Sequence, residues 1–251
     1  MKILEQLRKN ILSPVKAAIL NRRRRWIFET AVEQLIEMDL LSELPESILL
    51  SLIYGWGNES WSASCEYLQG IVNEARRSGG PVLECGSGLS TIVLGVLAEK
   101  WGFRIWSLEH VPAWAQKVRQ VLQKHHLQQV TIVDAPLQDQ GSFTWYSVDR
   151  TFIPDDFRLV ICDGPPGSTS GGRYGLLPMM HTQLAPGCVI LLDDSTRLGE
   201  QEVIQRWEHE YRLKHYTFGR TKPYARIELL THHRENLCTG EGESSCHSMS
   251  I

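Results

Sequence analysis

No run of 18 apolar residues occurs anywhere in the 251-residue chain, and Met1 to Leu20 is interrupted by charge throughout. Neither a membrane-spanning helix nor a secretory signal is therefore expected. The six cysteines form no Cys-x-x-Cys pair, and Cys85, Cys162 and Cys188 fall inside apolar runs, where a small buried thiol is the usual reading. A reducing, cytoplasmic setting follows as an expectation. No internal repeat is visible. The glycine-rich stretch Gly164 to Gly172 lacks the Gly-Lys-Ser/Thr ending of a phosphate loop, which excludes an ATPase reading. With a net charge of -3, the chain has no general affinity for nucleic acid, and no nucleic-acid partner is expected.

What charge there is lies unevenly. Residues 1 to 26 carry eight Lys or Arg against Glu5 alone, a local +7 that leaves -10 for the remainder. Within this arm Ile3, Leu4, Leu7, Ile11, Leu12, Val15 and Ala18 recur at near-helical spacing, with Pro14 expected to kink or restart the helix. A basic amphipathic helix of this kind suits an anionic membrane surface, but more often packs its apolar stripe on its own domain or on a partner, including a second copy of the chain, with its charges solvated. Further helices are expected over Phe28 to Leu41, after Pro45 and over Cys65 to Arg77. Residues 1–78 thus read as a helical extension, 79–231 as the main domain, and the polar stretch 232–251 as a disordered tail.

From Gly79 the pattern alternates strand and helix, the signature of a Rossmann-like α/β fold. The expected architecture is a doubly wound, mostly parallel sheet of about seven strands with helices on both faces. Ligands of such sheets bind at the carboxyl ends of the strands. The first unit, Pro81-Val-Leu-Glu-Cys-Gly-Ser-Gly-Leu-Ser-Thr91, reads as strand, glycine turn and helix start, with Ser90 and Thr91 as capping residues. Glu109 ends the next strand-like run, about 20 residues on, where an acid suits a ribose diol. Thr91 stands where a dinucleotide fingerprint has its third glycine, which disfavours a nicotinamide oxidoreductase. Between the third and fourth strands, Pro136 to Asp156 is too long for a plain connection and predicts a hairpin or lid. Glu84, Glu109, Asp134, Asp163, Asp193 and Asp194 all fall at or near strand ends.

Val82 to Thr91, Leu108-Glu109-His110, Val133-Asp134-Ala135, Leu159 to Gly167 and Gly187 to Asp194 together resemble the ordered motifs of class I S-adenosylmethionine-dependent methyltransferases. The resemblance spans about Gly79 to Thr231. It implies that Gly86, Ser87, Gly88 and Ser90 approach the methionine part of S-adenosylmethionine, and that Glu109, with His110 beside it, accepts from both ribose hydroxyls. It also implies that Asp134 and Ala135 border the adenine, that Glu84 orients either the turn or a water next to the cofactor's amino group, and that Asp163 lies against the cofactor. A carboxylate accepts two hydroxyl donors better than an amide does. Trp61 and Ser62 are expected to close over the site.

The acids after the fourth and fifth strands, Asp163, Asp193 and Asp194, are similar to the three-oxygen set by which catechol-type and sugar O-methyltransferases hold magnesium. A hard cation suits carboxylates and lowers the pKa of a hydroxyl it touches. O-methylation of a small-molecule acceptor is therefore expected, with Asp163 and His181 as catalytic candidates and His110 as a further one. The chain departs from the catechol pattern at Pro166, where a lysine base belongs, so the base stays unassigned. Arg173 suits either an anionic substrate or an acid of its own chain. Competing readings are an aminopropyltransferase and a membrane- or partner-binding module on a degenerate methyltransferase scaffold.

Overall fold

The computed structural model describes residues 2–39, 43–58 and 63–230, with side chains from Val15 onward. Trp61, Ser62 and the 232–251 tail lie outside the described residues. Three helices come first, α1 (Lys2–Glu37), α2 (Glu46–Trp56) and α3 (Cys65–Ser78). The alternating region follows as β1 (Val82–Cys85), α4 (Leu89–Trp101), β2 (Ile105–Glu109), α5 (Pro112–Lys124) and β3 (Val130–Asp134). Next come a hairpin, β4 (Leu137–Asp139) and β5 (Thr144–Tyr146), then β6 (Phe157–Cys162), α6 (Leu176–Met180), β7 (Leu184–Leu192), α7 (Leu198–Glu210), β8 (Leu213–Phe218) and β9 (Tyr224–Leu229).

The main sheet has seven strands in the order β3-β2-β1-β6-β7-β9-β8. All neighbours pair in parallel except those of β9, which runs against both β7 and β8. Because side chains alternate across a strand, each strand feeds two cores. Val82, Leu159, Ile161 and Leu191 face a layer containing α3, α4 and α5. Leu83, Cys85, Val160, Cys162, Ile190 and Leu192 face a layer of α6, α7 and the hairpin. The expected insert is thus a hairpin that belongs to the core, with Trp145 fully buried.

One expectation needs correction at the amino-terminal side. Pro14 neither ends nor restarts the first helix: α1 runs unbroken for 36 residues, since one proline removes a single backbone bond and the remaining bonds hold. Phe28, Val32 and Leu35 of α1, Leu49 and Leu52 of α2, and Tyr67, Leu68 and Ile71 of α3 share one core with α4. The Tyr67 hydroxyl donates to Leu191 O at 2.9 Å, joining α3 to the centre of the sheet. Glu29 of α1 also meets His125, at 2.7 Å, and Lys124 at the end of α5. Before Phe28 the helix leaves the body: Val15, Ile19, Leu20 and Trp26 are exposed.

Candidate active site

A cavity of about 400 Å³ opens at the carboxyl ends of β1, β2, β6 and β7. It sits where strand order reverses, β1 lying between β2 and β6, which is the place an open α/β sheet offers a ligand. One end is formed by the turn between β1 and α4. Gly86 has φ 90°, a left-handed conformation that favours glycine, and it lies in van der Waals contact range of Gly164 in the segment after β6.

Behind that turn lies Glu84, with no exposed surface. Its carboxylate accepts from the hydroxyls of Ser90, Thr91 and Ser107, each at 2.6 Å. Thr91 Oγ1 in turn accepts from Gly88 N at 2.7 Å. Thr91 therefore caps the helix as expected, whereas Ser90 spends its hydroxyl on Glu84. Burial pushes the Glu84 pKa up to about 7, the three hydroxyl bonds and then Glu109 modifying it less. Glu84 does not reach the cavity; it fixes the shape of the turn from beneath.

Glu109 does reach it. Its Oε2 accepts from Ser87 N (3.1 Å) and Ser87 Oγ (2.7 Å), and its Oε1 from Val111 N (2.8 Å). Two backbone N–H groups thereby orient a carboxylate that is 5% exposed at the cavity wall. His110 Nδ1 lies 3.4 Å from Glu109 Oε1. Gly86, Ser87, Gly88, Ser90, Glu109, His110 and Asp163 all line the cavity. Asp134 and Ala135 are not among its lining residues. Asp134 sits on the outer strand β3, exposed and paired with Arg119 at 2.9 Å, and Ala135 is buried with its N–H on Glu109 O.

The wall beside Glu109 is instead aromatic. Trp114 of α5 donates from Nε1 to Ser87 O at 2.7 Å and meets Trp56 edge-on at 5.7 Å. Lys117 lies over both rings, 4.4 and 4.3 Å from their centroids. Tyr146 of the hairpin, 2% exposed, also lines the cavity, and its hydroxyl has no partner among the described residues. Burial raises the Tyr146 pKa well above that of an ordinary phenol, so the group remains a donor.

At the opposite end Asp163, Asp193 and Asp194 come together, each offering an oxygen within 4.8 Å of the others. Asp194 holds a positive φ of 57°, a conformation aspartate tolerates better than most residues. These acids already face cations. The buried Arg173 places Nη2 2.9 Å from Asp163 Oδ1 and 3.6 Å from Asp194 Oδ2, and donates from Nη1 to Asp193 O. Arg197 Nη1 is 2.7 Å from Asp194 Oδ2. Lys222 Nζ is 2.7 Å from Asp193 Oδ2 and 3.5 Å from Asp194 Oδ1. Burial raises Asp163 to about 7 against the opposing pull of Arg173, with Asp193 adding to the rise. His181 is not brought here: its Nδ1 lies 3.1 Å from Leu177 O and its ring faces Tyr211.

Sequence reasoning missed Trp56, Trp114, Tyr146, Arg197 and Lys222. Trp56 was visible as a tryptophan in a polar loop, but nothing local marks the other four.

Residues 83–195 match a family model described as a methyltransferase domain. Among solved structures, the chain is similar to the S-adenosylhomocysteine-bound methyltransferase PaMTH1 of Podospora anserina. The two are 14% identical with a TM-score of 0.51, covering 69% of this chain and 82% of that one. It is also similar to an S-adenosylmethionine-dependent O-methyltransferase of Thermotoga maritima (15% identity, TM-score 0.47, 66% and 67% covered). A third is the tRNA (m1A58) methyltransferase TrmI of Aquifex aeolicus (15% identity, TM-score 0.46, 80% and 76% covered). No curated protein sequence matches significantly.

Proposed function

We propose that the chain is a class I S-adenosylmethionine-dependent methyltransferase and that it methylates a hydroxyl group of a small-molecule acceptor, a reading supported by the methyltransferase-domain match over residues 83–195. The observation that carries this reading is the single cavity running from Glu109 to Asp163. The cofactor supplies an electrophilic methyl group when bound. Glu109, oriented by Ser87 and Val111, would accept from the ribose hydroxyls, the first displacing the bond now made by Ser87 Oγ. Trp114, fixed to Ser87 O, gives the base a flat wall, and Gly86 leaves room beside Gly164 for the methionine part.

At the other end, methyl transfer asks for an acceptor held in line and relieved of its proton. Asp163 lines the cavity, and a carboxyl group titrating near 7 takes up a proton readily at neutral pH. His181 is too far removed to serve, so Asp163 is the base in this reading. Magnesium does not fit the donor set as it stands. Arg173 Nη2 occupies the position between Asp163 and Asp194, and Lys222 Nζ that between Asp193 and Asp194. An ion would have to expel a guanidinium that is 3% exposed and bonded on several sides. A small acceptor is favoured over a nucleic acid because the net positive charge is confined to the amino-terminal arm, the remainder of the chain carrying a net -10.

Calorimetry tests the core of the proposal: the protein should bind S-adenosylhomocysteine, and Glu109→Ala should weaken binding by roughly 100-fold, since two charge-assisted hydrogen bonds are lost. Wild-type protein that ignores the ligand would sink the reading. The part of α1 in which Val15, Ile19, Leu20 and Trp26 are exposed supports an added contact with anionic lipid, because Arg22 to Arg25 share it. Full-length protein should sediment with phosphatidylserine vesicles and a form lacking residues 1–26 should not; self-association of the full chain without lipid binding would assign the arm to a second copy.

A further inference from the structure

We propose that Lys222 takes the place of a divalent cation at the acceptor end of the cavity, so that the acceptor oxygen faces an ammonium group held by Asp193 and Asp194. The inference rests on the methyltransferase reading above and goes further by naming what the acid cluster is for.

The turn between β8 and β9 is built to deliver this side chain. Gly219, at φ 87°, reverses the chain after β8. Glu66 of α3 then accepts from Arg220 N at 2.9 Å and from Thr221 N at 3.4 Å. On the far side Pro223 O accepts from Ser195 N at 3.0 Å, tying the turn to the segment just after Asp194. Lys222, between these two anchors, enters the cavity wall with 27% of its side chain exposed. Asp193 is wholly buried, and the ammonium 2.7 Å from its Oδ2, with Arg173 acting from farther off, makes that burial tolerable.

An ammonium is a compact point charge that hydrogen-bonds an oxygen directly. In the transfer, a lone pair of the acceptor hydroxyl forms the O–CH₃ bond, the S–CH₃ electron pair returns to sulfur, and the hydroxyl proton passes to Asp163. Negative charge growing on the acceptor oxygen is met by Lys222, the role a metal would otherwise fill. Arg173 and Arg197 complete the neutralisation of the acids and leave no vacancy for an ion of double charge.

The test is a titration of the full chain with Mn²⁺, in the presence of S-adenosylhomocysteine, following the free-ion electron spin resonance signal. Wild type and Lys222→Arg should leave the signal at its buffer level, whereas Lys222→Met, which removes the ammonium from Asp193 while Asp194 keeps Arg197, should take up Mn²⁺ roughly tenfold more tightly or better. Wild-type uptake that Asp193→Asn abolishes, or no gain in Lys222→Met, overturns the proposal. S-adenosylhomocysteine binding on the same samples reports folding and tests the methyltransferase reading separately.

Discussion

At the cofactor end of the cavity one fully buried carboxylate, Glu84, is met by three hydroxyls and no cation; at the acceptor end three carboxylates are met by Arg173, Arg197 and Lys222. Hydroxyls satisfy oxygen lone pairs without cancelling charge, so burial still governs Glu84 and its pKa climbs to about 7. Cations cancel charge as well, and Arg173 is held even further above its ordinary value by Asp163, Cys162 and Glu200 despite its own burial. The first arrangement suits a turn whose shape must stay fixed around a bulky ligand. The second keeps several charges at a surface where, in the proposed reaction, a proton and a methyl group would be exchanged.

The largest effect that probes this contrast is removal of the central cation. Arg173→Met would leave Asp163, Asp194 and Glu200 facing one another with their shared partner gone, and breaking a buried pair from one side costs about 3–5 kcal/mol. Urea unfolding should register that loss. A variant as stable as wild type would mean that Lys222 and Arg197 alone neutralise the cluster.

The second effect separates the two ends by pH. Glu84 has its folded pKa raised from 4.5 to about 7, so the folded state holds a proton that the unfolded chain has released. Stability from this group is full below about pH 4.5 and falls as pH rises toward 7, by about 3 kcal/mol for a shift of this size. Glu84→Gln, neutral throughout, should flatten that part of the pH–stability curve. An unchanged slope would place the pH dependence elsewhere, with Asp163 the next group to replace.

The contrast also explains what could be read in advance. Strand, turn, capping residue and Glu109 at the cofactor end come from 28 contiguous residues, Val82 to Glu109, whose apolar runs and glycines specify their structure locally. The acids after β6 and β7 were visible for the same reason. Of their partners only Arg173 was foreseen, as a pair for an acid of its own chain; Arg197 and Lys222 lie on two further loops, and only the packing of β9 against β7 brings the last of them to Asp193. Asp134 was misplaced for a related reason. It ends a strand like Glu109 does, but β3 is the sheet's outer strand, so its carboxylate turns to Arg119 and solvent. Trp114 shows no local mark of its role, because its indole is aimed by a bond to Ser87 O across the turn.

A smaller effect concerns that indole. Trp114→Ala removes both the wall beside Glu109 and the bond that steadies Ser87, and S-adenosylhomocysteine should bind about tenfold more weakly, a loss typical of one aromatic face. Equal affinity by calorimetry would move the base-binding wall away from α5.

The smallest effect lies where the two ends meet. The Tyr146 hydroxyl sits against Gly164, so close that a Cβ on that glycine would be 2.3 Å away, and it is buried without a partner among the described residues. A buried donor left unmatched costs stability, so Tyr146→Phe should leave the ligand-free protein as stable as wild type or up to about 1 kcal/mol more stable. If the hydroxyl is kept for the ligand, the same variant should bind S-adenosylhomocysteine about fivefold more weakly, the value of one neutral hydrogen bond. Thermal unfolding with and without ligand reads both quantities in one experiment. Lower stability with unchanged affinity would make Tyr146 part of the hairpin's packing and confine ligand recognition to the β1 and β2 side of the cavity.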